Sequence, residues 1–177
     1  MQNTESQAAR APTVRRRIMA MVYEAFLLLA VEMVAVALFL LLTGNRHAPV
    51  YQHGLKFFLF LVTAAYFVHF WTDSGHTLAM KTWRIKLVMD GYPRVPFRIA
   101  AIRYLLAWGW FLPALVVCAA LGWTGKAEVA GAVVVGIVAW ALTAFLDKDR
   151  QFLHDKLAGT RLVALPKQAR KAAAAAA

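Results

Sequence analysis

Four runs of this sequence are almost wholly apolar, and the few ionisable residues inside them are its first candidates for chemistry. Glu24 and Glu32 interrupt residues 18–42, His69 lies near the end of 57–71, Arg103 near the start of 99–121, and Glu128 near the start of 127–146. A charge in hydrocarbon costs about 2.5–3.5 kcal/mol on insertion scales, so such groups turn inward and pair. At 1.5 Å per helical residue, Glu24 sits about 10 Å above Arg17, Arg103 about 7 Å beyond Arg98, and His69 about 6 Å from Asp73. Glu24, Arg103 and His69 would then converge at one depth from three helices. Two readings stay open: a polar inner cavity binding a cation, a proton or a small ligand, or a structural Glu24–Arg103 pair with nothing transported. Glu32, about 22 Å above Arg17, has only Lys56 or Glu128 at its level. With Glu24, eight residues away, it could carry a proton. His69 taken alone reads as a hydrogen-bonded interfacial histidine.

The elements that must hold these residues follow from composition. Of 177 residues, 61% are apolar and 16% charged, with a mean hydropathy of +0.56. Soluble domains carry about 25% charged residues, so an ordinary soluble enzyme is excluded, as are a disordered tail and a disulfide scaffold. Cys118, the one cysteine, has no intrachain partner. A helix crosses a bilayer with roughly 17–25 residues. Spans are expected at about 18–42, 55–72, 99–121 and 127–146, the second needing Lys56 to reach the headgroups. Counting Arg103 just inside the third span, 17 of the 20 Lys and Arg residues lie on the side of the N-terminal segment, the loop between the second and third spans, and the C-terminal segment. By the positive-inside rule both termini are cytoplasmic. The net charge of +11 thus reads as membrane orientation, with no nucleic acid partner.

Residues 1–15 read as a mobile tail, 16–165 as the membrane domain, and 166–177 as a basic, alanine-rich end. The basic start does not read as a signal peptide, because its apolar run is too long and holds two glutamates. Between the second and third spans, residues 77–84 suit a short amphipathic helix at the interface, with Trp83 at headgroup level. Residues 85–89 alternate and end in Asp90-Gly91, a strand running into a turn, and 160–165 has the same character. The two are expected to pair. The fold class is therefore an all-α transmembrane four-helix bundle, with a short cytoplasmic amphipathic helix and a two-stranded β element.

Several of these segments carry a recognisable pattern. Arg16-Arg17-x-x-Ala20-x-x-x-Glu24, Gly75-His76-Thr77-Leu78-Ala79-x-Lys81, Asp90-Gly91, and Asp147 followed by His154-Asp155-Lys156-Leu157-Ala158-Gly159-Thr160 resemble the RDD family of small bacterial membrane proteins. The resemblance covers residues 16–163. It matches the family's arginine to Arg17, with Arg16 adjacent, its first aspartate to Glu24, and its second to Asp155, with Asp147 as the other candidate. Glu24 keeps the carboxylate but reaches one methylene further. The resemblance implies a multi-pass protein of the bacterial inner membrane, suspected in transport, with no enzymatic activity assigned.

Asp155 could bind the Arg16–Arg17 cluster and tie the tail to the first helix. His76, His154, Asp147 and Asp155 match no metal-ligand spacing, and no cofactor motif is present. Nothing points to catalysis: there is no phosphate loop, and only Ser6 and Ser74 occur as serines. Ala127/Gly131 and Ala132/Gly136 allow close helix packing, within the chain or between copies. The expected function is transport of a cation or small solute through the cavity. The alternative is a non-transporting accessory subunit packed against other membrane-protein subunits.

Overall fold

The computed structural model describes residues 11–44, 48–146 and 151–165. Helix α1 (Val14–Thr43) starts at Thr13, whose hydroxyl caps it by accepting from the Arg16 amide. Helix α2 (Pro49–Asp73) is longer than the marginal second span required. Then come the short helix α3 (Leu78–Thr82), strand β1 (Ile85–Val88) and helix α4 (Phe97–Ala107). A single 3-10 turn, Trp108–Trp110, separates α4 from α5 (Leu112–Ala120). Helix α6 (Lys126–Leu146), the one-turn helix α7 (Leu153–Leu157) and strand β2 (Arg161–Ala164) complete the order.

Helices α1, α2 and α6 are each long and apolar enough to cross a membrane. Their outer faces carry large exposed side chains: Phe26 is 68% exposed and Leu41 80%, as hydrocarbon contact permits and water does not. The expected third span differs from its reading as one continuous helix. It bends by 45° between Phe97–Trp110 and Leu112–Ala120, and counts as a fourth crossing only if the bent pair is one span. Two residues cause the break. Pro113 has no N–H for the Gly109 carbonyl four residues back. Gly109 faces the Trp140 ring so closely that a Cβ would lie 2.4 Å from it. Packing α6 here requires glycine, and the helix yields around it.

The expected strand pair is present. β1 and β2 are antiparallel, with Ile85 opposite Ala164 and Val88 opposite Arg161. The Asp90 carboxylate accepts from Arg161 at 2.7 Å, tying the turn after β1 to the start of β2. Buried Ile85, Leu87 and Leu162 pack with Val68 and Trp71 of α2 and Ala100 and Tyr104 of α4, so the sheet closes the end of the bundle where α1 begins. Arg16 reaches the same place, donating to the carbonyls of Trp83 and Arg84. Arg84 holds a left-handed φ of 52° at the joint between α3 and β1.

Gly75 makes the entry to this end. Its φ is +77°, its carbonyl accepts from Leu87 N at 2.7 Å, and a Cβ would stand 2.7 Å from the Leu87 oxygen. Gly91, at φ +81°, has open space around it. Gly75→Ala should therefore lower stability by more than the roughly 1–2 kcal/mol that left-handed backbone costs an L-residue, whereas Gly91→Ala should cost only that. Thermal unfolding of both variants in detergent measures the difference, and equal losses would show that the Gly75–Leu87 approach relaxes freely.

Candidate functional site

Charged side chains gather at the sheet end of the bundle. Arg103, on α4, is buried with its Nε 2.8 Å and its Nη2 2.6 Å from Asp155 Oδ1. Its guanidinium also stacks on Trp71 of α2, 4.1 Å from the ring centroid, a contact in which the ring face offsets lost hydration. Asp155 is fully buried on α7. The partner of Asp155 is thus Arg103 rather than the Arg16–Arg17 cluster. Arg16 is engaged with the two carbonyls already described, and buried Arg17 lies over Phe152, 5.5 Å from its ring centroid.

The residues around Asp155 show why its segment reads as it does. Gln151 behaves as an extra strand residue: its amide donates to Leu162 O at 3.3 Å and accepts from Leu162 N at 3.1 Å. After α7, Gly159 takes φ +65°, Gly159 N bonds Lys156 O and Thr160 N bonds Asp155 O. Those two bonds are the Schellman arrangement that ends a helix on glycine. The run Asp155-Lys156-Leu157-Ala158-Gly159-Thr160 therefore encodes one helical turn and its stop. Its acid points at Arg103, and its end leads into β2.

His154 is enclosed by aromatic rings. It stacks on Phe152 and Trp140, and its Nδ1 accepts from both Trp110 Nε1 and Trp140 Nε1 at 3.3 Å. An Nδ1 that accepts twice holds no proton, so the neutral ring carries its hydrogen on Nε2, 3.5 Å from Asp155 Oδ1. Burial pushes the imidazole down to about 4. Asp155 pulls it the other way, but Arg103 and Arg17 oppose that pull. The sequence places His154 in the closing family-like motif and among residues that match no metal-ligand spacing, and nothing in it signals the indole partners.

Glu24 also differs from expectation. Its carboxylate is buried on α1 and is held by hydroxyls, from Tyr66 of α2 at 2.6 Å and from Thr77. Among the described residues it makes no ion pair, so Arg103 is not its partner. Thr77 has two jobs: its oxygen caps α3 by accepting from Met80 N, and its hydrogen goes to Glu24. Glu32 is half-buried and accepts from Thr63 at 3.1 Å. His69 does not join these groups; it is exposed, edge-on to Phe70. Asp147 lies outside the described residues.

A cavity of about 750 Å³ links most of this set. One face of α1 lines it through Arg17, Glu24, Leu28 and Glu32, opposite Phe60, Thr63 and Phe67 of α2 and Tyr104 and Trp108 near the bend. Arg103 and His154 reach its inner end and Lys56 its other end.

Long helices with apolar outer faces and charges held inside define an integral membrane protein. Residues 11–159 match the sequence profile of the RDD family, and the chain belongs to that family. No curated protein and no solved structure matches it.

Two outcomes follow from this geometry. Asp155→Asn strands the Arg103 charge in a buried site and should cost roughly 3–5 kcal/mol, whereas Arg103→Met combined with Asp155→Leu should recover much of that loss. Unfolding in detergent compares them, and additive losses would mean the two side chains are not coupled.

The second outcome concerns pH. An unfolded histidine titrates near 6.5, while folded His154 titrates near 4. Below 6.5 the unfolded chain takes up a proton that the folded chain refuses. Stability from this group is complete above pH 6.5 and falls toward pH 4, by up to about 1.4 kcal/mol per unit. His154→Gln, which keeps an acceptor for the indoles, should flatten that slope. Parallel slopes in the two proteins would contradict the assignment.

Proposed function

We propose that this protein moves a cation or small solute across the bacterial inner membrane through the cavity beside α1, with Glu24 and Glu32 as its two charged stations. One observation carries the reading: a single cavity touches both carboxylates, two helical turns apart, and continues to Arg17 and Arg103. A carboxylate held by hydroxyls keeps its charge available to a passing cation, whereas one locked to arginine does not. In this reading the chain crosses the membrane four times, α4 and α5 acting together as one bent span. Both termini are cytoplasmic, as supported by the Lys and Arg residues concentrated at the sheet end and in the two tails.

An accessory role within a larger membrane complex has its own support. Gly136 is used within the chain, against Ala114, but Gly131 faces open space on α6 and could admit another helix.

Flux in proteoliposomes separates the two. The wild type, loaded with a proton-sensitive dye and challenged with several cations in turn, should show flux. Glu24→Gln should fold with a near-normal melting temperature and lose that flux, and Glu24→Asp should retain part of it. A wild type inert to every cation would favour the accessory role. A Gln variant that is stable and fully active would remove Glu24 from the path.

A further inference from the structure

The cavity's walls say more about its cargo than its charges do. A proton or a bare metal ion needs no space of about 750 Å³, a volume within the range of pockets that hold drug-sized molecules. A metal ion also needs several oxygen ligands at once to replace its water. Here the carboxylates stand about 12 Å apart along α1, and the lining between them is chiefly hydrocarbon and aromatic. Facing α1, Phe60 packs against Tyr104 and Trp108 with centroids 5.3 and 5.4 Å apart, and Phe67 continues the wall, stacked on Trp71 at 4.9 Å.

The pairing of the charges that line the cavity favours a cationic ligand. Arg103 is neutralised by Asp155. Lys56 is exposed at the mouth, where water or headgroups can solvate it. Arg17 lies at the inner end, over Phe152. Between these points Glu24 and Glu32 have only hydroxyl donors among the described residues. An aromatic wall facing one buried and one half-buried carboxylate is a combination that stabilises an organic cation, by ring quadrupole on one side and charge on the other.

We infer that the ligand of this cavity is an amphipathic organic cation, an ammonium-type charge on an apolar body, seated with its charge between Glu24 and Glu32 and its body against Phe60 and Phe67. This rests on the reading of the cavity as a transport site and names the substrate class.

Tetraphenylphosphonium and tetraphenylborate test it, because they share shape and hydrophobicity but differ in sign. Equilibrium dialysis against the purified full-length protein in detergent should show saturable binding of the phosphonium, at least about tenfold tighter than of the borate. Glu32→Gln, and Glu24→Gln with Glu32→Gln, should weaken the phosphonium by a similar factor and bring the two ions closer together. Should the double variant fail to fold, Glu32→Gln and the sign preference of the wild type decide. Equal binding of both ions, preference for the borate, or glutamine variants that bind like wild type would overturn the inference. Binding without any flux would count against transport while leaving the site intact. Flux of an inorganic cation with no phosphonium binding would do the reverse.

Discussion

The buried pair between Arg103 and Asp155 is the contact on which the rest of the inner end depends. Within the bilayer apolar burial chooses poorly among arrangements, because lipid tails are as apolar as leucine and a helix gains little by leaving them. Polar contacts must do the choosing. Helix α7 has five residues, too few to persist unaided, and it is fixed by Asp155 on Arg103 and by Phe152 against Trp110. Once α7 is placed, its Schellman stop and the Gln151 bridge deliver β2 in register to β1. β1 in turn holds Gly75 through Leu87, and Gly75 sets where Thr77 begins α3. Thr77 then donates to Glu24. A chain of short-range contacts thus runs from an ion pair on α4 and α7 to a carboxylate on α1.

That order explains which parts could be read in the sequence. The long helices, the short helix after Gly75, and the strands at Ile85 and Arg161 were all legible, because each is announced by local pattern: apolar length, an amphipathic run, alternation before Asp90-Gly91. Family membership was legible as well, since the residues that resemble the RDD family are the ones that make these turns and caps. The depth of Glu24 and Arg103 followed from helical rise alone. Their partners did not. Rise gives height along a helix but not the direction a side chain faces, so height alone puts Arg103 level with Glu24, whereas its side chain turns to Asp155. His69, at a matching height, faces outward. The break in the third apolar run was hidden for a similar reason. Gly109 and Pro113 are visible in the sequence, but the close approach of Trp140 that requires the glycine is a long-range contact.

The two buried acids show how one fold handles similar groups in opposite ways. Asp155 faces a guanidinium that supplies a full compensating charge, and that guanidinium is itself covered by Trp71. Such a pair is already matched in charge and holds its two elements together. Glu24 faces Tyr66 and Thr77, which donate hydrogen bonds and bring no charge. Its longer side chain suits that arrangement, reaching a hydroxyl on α2 and another at the cap of α3 from a position on α1. If Glu24 served only to join these elements, a neutral amide would serve too, without a carboxylate's desolvation cost. A carboxylate retained beside a large aromatic cavity, with Glu32 two turns further along the same helix face, is a charge left for something that comes and goes. The fold locks one acid to hold its shape, and by holding that shape it keeps the other acid open.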